Sequence, residues 1–112
     1  MITIWHNPRC SKSRQTLALI EDKGAVTVRK YLEDSPTADE IRETLDLLGM
    51  KAIEMMRPKE SAFRELGLNK DDDDATLIEA MAKCPKLIER PIVFANGKAA
   101  LGRPPEQVLD IL

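Results

Sequence analysis

The stretch ITIWHNPRCSKSRQTLALI, Ile2 to Ile20, holds two kinds of structure with a cysteine at their junction. Ile2 to Trp5 is apolar throughout and reads as a strand inside a sheet rather than at its edge. Ser11 to Lys23 reads as a helix. Leu17 and Ile20 share one of its faces, and Gly24 suits the position just past its end. Between the two lies Cys10, with His6, the single histidine of the chain, four residues upstream. Arg9, Lys12 and Arg14 surround it with positive charge. A helix N-terminus presents free N–H donors and the positive end of the helix dipole. A thiolate is stabilised there, and so is an oxyanion. A protonated His6 would lower the thiol pKa further, whereas a neutral one could take a proton or hydrogen-bond a substrate. A buried, inert Cys10 is disfavoured by its polar flanks.

Working outward, Val26 to Tyr31 reads as a second strand. Thr37 with Glu40 fits a capping box, and Ile41, Leu45 and Leu48 continue it as a stripe that Gly49 ends. A shorter helix follows Pro58, with Phe63 and Leu66 on one face. Asp74 is placed to cap a further helix carrying Leu77, Met81 and Cys84, so Cys84 reads as inert packing. Pro91 to Phe94 is a strand, Asn96-Gly97 a two-residue hairpin turn, and Lys98 to Leu101 the return. Pro104-Pro105 starts a last helix with Val108, Leu109 and Leu112. The order β-α-β, several helices, then β-β-α predicts an α/β fold. A right-handed crossover joins the first, parallel pair, and a mixed four-stranded sheet carries helices on its faces. That is the plan of a single thioredoxin-like domain over residues 1–112, with a helical insertion from roughly Thr37 to Lys86.

Composition narrows the possible partners. The 112 residues allow one modest core, and 32% charged with 43% hydrophobic residues is ordinary globular usage. The apolar runs are too short to span a membrane, and no basic region followed by an apolar one opens the chain. With two cysteines and no export signal, a cytoplasmic monomer is expected. A net charge of −2 argues against nucleic acid as the main partner. Asp71 to Asp74 lacks the alternating ligands and glycine turn of a calcium loop, so it reads as a solvated helix start and no metal is expected.

Three of the seven prolines follow arginine: Arg57-Pro58, Arg90-Pro91 and Arg103-Pro104. A residue before proline is pushed out of the helical region, so each arginine belongs at the edge of an element. Such edges can converge on one pocket of an α/β sheet, where the planar guanidinium fork suits a tetrahedral oxyanion.

HNPRCSKSR, RPKE at Arg57, LIERPIV ending at Val93 and LGRPPEQVLDIL occur in order over nearly the whole chain. Together they resemble the ArsC-type arsenate reductases, the glutaredoxin-coupled thioredoxin-fold branch. The resemblance implies that Cys10 is the nucleophile that attacks arsenate and that His6 helps set its reactivity. It further implies that Asn7, Ser11, Ser13 and Arg14 surround the cysteine and anion, and that Arg57, Arg90 and Arg103 form an oxyanion-binding triad. Pro91 matches the thioredoxin-fold proline, expected cis. Glutathione would be a co-substrate, forming a mixed adduct with the enzyme-bound arsenic. Glutaredoxin would resolve the disulfide, and no cofactor would stay bound. Ser11-Lys12 departs from well-known members, which have smaller, uncharged residues there.

Two other functions compete. A redox-responsive regulator of the Spx type shares the fold and the early Asn-Pro-x-Cys pattern, but it carries a second cysteine where this chain has Ser13. A glutathione-dependent thiol oxidoreductase acting on another substrate is the third reading, and the three arginines favour an oxyanion over a peptide disulfide.

Overall fold

In a computed structural model the described residues are 2–89 and 91–112. Strands β1 (Ile2–Trp5), β2 (Val26–Arg29), β3 (Ile92–Ala95) and β4 (Lys98–Leu101) form one sheet in the order β2-β1-β3-β4. β1 and β2 are parallel, with Ile2 opposite Val26 and Trp5 opposite Arg29. Parallel neighbours need a crossover, which helix α1 (Ser11–Glu21) supplies. β3 is antiparallel to β1, and β4 returns beside β3. The return uses Asn96 at φ 53° and Gly97 at φ 72°. A tight two-residue hairpin turn of this kind requires positive φ at both central positions, which Asn-Gly tolerates best. β1 is flanked on both sides, as expected of a strand inside the sheet. This mixed sheet with helices is the expected thioredoxin-like arrangement.

The chain forms two compact units, Met1–Asp34 with Arg90–Leu112, and Ser35–Glu89. In the first, Ile2, Ile4, Val93 and Ala95 line one face of the sheet and pack with Ile20 of α1 and Val108. On the other face Trp5 and Phe94 stack at a 55° tilt, 5.1 Å between ring centres. The Arg29 guanidinium lies 5.5 Å from the Trp5 ring centre. The C-terminal segment corrects the expected α-helix: Pro105–Ile111 is a 3-10 helix. Its period of three places Pro105, Val108 and Ile111 on one side and leaves Leu109 exposed.

The second unit holds α2 (Ala38–Leu48), α3 (Ser61–Glu65) and α4 (Asp74–Lys83), with 3-10 turns at Ala52–Met55 and Pro85–Leu87. The predicted capping box forms. Thr37 Oγ1 accepts from the Glu40 N–H at 3.1 Å, and the Glu40 carboxylate accepts from the Thr37 N–H at 2.9 Å. α2 packs on α4, burying Ile41, Leu45, Leu77 and Met81. The cap of α4 is Asp73 rather than Asp74. Its carboxylate accepts from the Thr76 N–H at 2.8 Å. The Thr76 side-chain hydrogen bond first, and then this backbone one, hold it below the usual carboxylate range. Cys84 does not extend the buried stripe of α4. It is the half-buried residue that ends the helix before Pro85. A bridge pairs Met56 with Ile88, the Arg57 N–H donates to Leu87 O at 2.8 Å and the Glu89 N–H to Met55 O at 2.7 Å. Among the described residues no helix is long and apolar enough to cross a membrane.

Candidate active site

The sheet holds the chain one residue past β1: the His6 N–H donates to Arg29 O at 2.8 Å. A tight turn follows. Asn7 Oδ1 accepts from the Arg9 N–H at 3.0 Å, and Asn7 O accepts from the Cys10 N–H at 3.0 Å. The turn is tied to α1 at two points. The Asn7 N–H donates to Ser13 Oγ at 3.0 Å, and the Arg14 guanidinium donates to Pro8 O at 3.0 Å.

Cys10 is the N-cap of α1, with extended backbone at φ −97° and ψ 125°. Its carbonyl accepts the first intrahelical bond, from the Arg14 N–H at 3.0 Å. The N–H groups of Ser11, Lys12 and Ser13 therefore precede the helical ladder, and the thiol stands where a capping side chain would. The first turn contains no acid but does contain Lys12 and Arg14. A cation at this end opposes the helix dipole by about 0.3–1 kcal/mol. A thiolate or bound anion there would interact favourably with both the dipole and the cations and so offset that cost.

His6 is buried, and its Nδ1 lies 2.7 Å from Ser13 Oγ. Burial, then the charges of Lys30 and Arg14, push its pKa below the ordinary 6.5, and Glu21 opposes them. Of the two sequence readings of His6, the neutral imidazole is therefore the one that fits at neutral pH.

Of the three arginines before proline, Arg103 shares the unit of Cys10. It follows Gly102, where a Cβ would come within 2.6 Å of Thr16 Oγ1 on α1 and 2.7 Å of Pro91 Cγ. Only a glycine lets the chain leave β4 so close to α1. The Gly102 N–H donates to Pro91 O at 2.9 Å, and the Arg103–Pro104 peptide is cis. Arg57 belongs to the other unit. It is half-buried, with its NH1 nitrogen 3.2 Å from Glu60 Oε2 and its Nε 4.0 Å from Glu89 Oε1. Arg90, and with it the Arg90–Pro91 bond expected to be cis, lies outside the described residues.

The model of the ArsC family matches residues 5–111. The chain belongs to the ArsC family. An arsenate reductase of Neisseria meningitidis serogroup A is 48% identical over 99% of this chain and 97% of its own length. One from Haemophilus influenzae is 44% identical over 99% and 98%. A protein of Escherichia coli K12 named only as uncharacterized protein YfgD is 52% identical over 99% and 96%. The solved arsenate reductase from Vibrio cholerae superposes with a TM-score of 0.94 at 54% identity, over 99% of this chain and 97% of that one.

Within this ArsC-family chain the structure gathers His6, Asn7, Cys10, Ser11, Ser13 and Arg14 at one strand–helix junction. Two of the residues expected around the anion have side-chain oxygens engaged within the junction itself. The Asn7 carbonyl oxygen shapes the turn, and the Ser13 hydroxyl is fully buried against His6. The sequence did carry a signal for Ser13: the buried stripe Leu17 and Ile20, extended backwards at helical spacing, reaches Thr16 and Ser13. Glu60 and Glu89, which stand beside Arg57, are not singled out by the sequence. The i,i+3 spacing of Arg57 and Glu60 could have disclosed the first. A cleft of about 450 Å3 lined by Ile2, Lys23, Ala95, Asn96, Leu109 and Leu112 lies at the opposite end of β1. Neither cysteine is among these lining residues, and the cleft takes no part in this site.

Proposed function

We propose that the protein reduces arsenate to arsenite through a covalent Cys10–arsenic adduct. The observation that carries this is Cys10 at the N-cap of α1, with Lys12 and Arg14 in an acid-free first turn. The Cys10 thiolate attacks the arsenic of arsenate and an oxygen leaves as water. Glutathione adds its thiol to this adduct. Arsenic leaves as arsenite when the two sulfurs join as a disulfide, whose formation supplies the two electrons that take As(V) to As(III). The chain offers no dithiol at this site, because the third residue after Cys10 is Ser13. An external thiol is therefore the consistent electron source, and glutaredoxin with more glutathione would restore Cys10. Arg57, Arg90 and Arg103 are assigned to the oxyanion on the resemblance of their motifs. Ser11 and Arg14, at the start of α1, would face the same anion. The absence of a second cysteine at Ser13 also weighs against an Spx-type switch. The glutathione-rich cytoplasm is the fitting compartment, and the reaction as written uses neither a metal nor a bound cofactor.

The test is arsenate-dependent NADPH consumption coupled through glutathione reductase, with and without glutaredoxin. Wild-type protein and Cys84→Ser are expected to turn over when both glutathione and glutaredoxin are present, and Cys10→Ser to show none. Consumption that ignores arsenate, or that survives Cys10→Ser, would overturn the proposal.

A further inference from the structure

Three observations describe how the single imidazole of the chain is held. His6 Nδ1 lies 2.7 Å from Ser13 Oγ. The Asn7 N–H donates to that same oxygen at 3.0 Å. Ser13 is 0% exposed and His6 5%. A serine hydroxyl has one proton to give and two lone pairs to accept with. A backbone N–H can only donate, so Asn7 occupies one lone pair of Ser13 Oγ. Among the hydrogen bonds of the described residues, the hydroxyl proton then has one acceptor, His6 Nδ1. If the ring donated from Nδ1 instead, Ser13 would receive two protons, and its own would be buried without an acceptor.

We infer that Ser13 is a positioning residue for His6: its buried hydroxyl donates to Nδ1 and holds the imidazole as the neutral tautomer with its ring proton on Nε2. Ser13 is thereby reassigned from the anion to the histidine. The charged groups around the ring agree. Lys30 past β2 and Arg14 on α1 oppose protonation, and Glu21 on α1 favours it. Arg29, whose carbonyl holds the His6 N–H, has its own guanidinium on Asp34 at 3.3 Å and on the Trp5 ring. Nδ1 is thus withdrawn from proton transfer, and Nε2–H remains as a fixed donor. Given the proposed function, on which this step rests, His6 serves a thiolate or oxyanion as a neutral hydrogen-bond donor, not as an imidazolium or a base.

Because the chain has one histidine, long-range 1H–15N correlation spectra of uniformly labelled protein read its tautomer without ambiguity. The wild-type protein at pH 7 is expected to show a protonated Nε2 and an unprotonated Nδ1, with a titration midpoint below 6.5. Ser13→Ala is expected to give a mixture of tautomers and a midpoint moved up. Ser13→Thr, which keeps the hydroxyl, should retain the wild-type pattern. A wild-type spectrum with the proton on Nδ1, or an imidazolium at pH 7, would overturn the inference. So would a Ser13→Ala spectrum that matches the wild type. The wild-type spectrum decides the matter even if a variant fails to fold. The expected tautomer in a protein without arsenate-dependent turnover would remove the proposed function and leave the role of Ser13 standing.

Discussion

A histidine buried as the neutral imidazole links stability to pH. The folded pKa of His6 lies below the 6.5 of an ordinary histidine, chiefly through burial. Between those two values the unfolded chain binds more protons than the folded one, so stability rises with pH there. The contribution is complete above 6.5 and is lost as pH falls through the folded pKa. Urea unfolding of wild type and His6→Gln should therefore show a wild-type advantage at pH 7.5 that shrinks at pH 5. An advantage that is constant or grows on acidification would contradict neutral burial. At this scale the sequence was legible where chemistry is local. Cys10, His6 and their cations lie within nine residues of one another, and their types alone state the problem they solve. Ser13 was harder, because a serine beside a reactive cysteine reads as an anion ligand until its direction is known. Its hydroxyl turns toward the sheet because position 13 shares the helix face of Thr16 and Ile20, all fully buried.

Elements show the same division between local and distant causes. The capping box at Thr37 and the Asn96-Gly97 turn were readable because each is closed by residues adjacent in sequence. Thr37→Ala should cost about 1 kcal/mol of unfolding free energy, the usual effect of losing a cap. A urea midpoint equal to wild type would show that the box contributes nothing. The 3-10 turns at Ala52–Met55 and Pro85–Leu87 were not readable. They are single turns placed by the pairing of Met56 with Ile88, far apart in sequence. The sequence discloses the last helix but not its period, because its apolar residues fit a stripe of 3.6 residues as well as one of three. Gly102 is the clearest case of a need invisible in sequence, since it comes from α1 and Pro91 crowding the exit of β4. Gly102→Ala should cost about 1–3 kcal/mol, the range for overfilling a packed site. A variant as stable as wild type would mean that these neighbours move aside freely.

At the scale of the whole molecule, the proposed function assigns residues from distant parts of the chain to one ion. Cys10 and Arg103 stand in one compact unit and Arg57 in the other. Replacing Arg57, Arg90 or Arg103 by Ala should each lower arsenate turnover roughly ten- to a hundred-fold, the loss of one charged hydrogen bond in a partly desolvated site. Lysine should rescue only in part, because it lacks the planar fork. Arg42, exposed and paired with Asp39 at 2.9 Å, and exposed Arg64 are the controls and should change little. Equal effects in all five stably folded variants would reduce the three arginines to surface residues. The mixed four-stranded sheet and the family were readable from the sequence because motifs and element order survive without coordinates. The pairing of Arg57 with Glu60 and Glu89 was not, because the Glu89 contact depends on the distant pairing of Met56 with Ile88. The central claim is that Cys10 at the mouth of α1 is a thiolate that meets an oxyanion. Its most direct test is the rate of iodoacetamide modification of Cys10 and Cys84, resolved by peptide mass spectrometry across pH 4 to 9, with and without arsenate. The expected result is that Cys10 reacts first, with an apparent pKa below the free value of about 8.5, and that arsenate protects it but not Cys84. Equal reaction of the two cysteines at every pH, with no protection by arsenate, would contradict the claim.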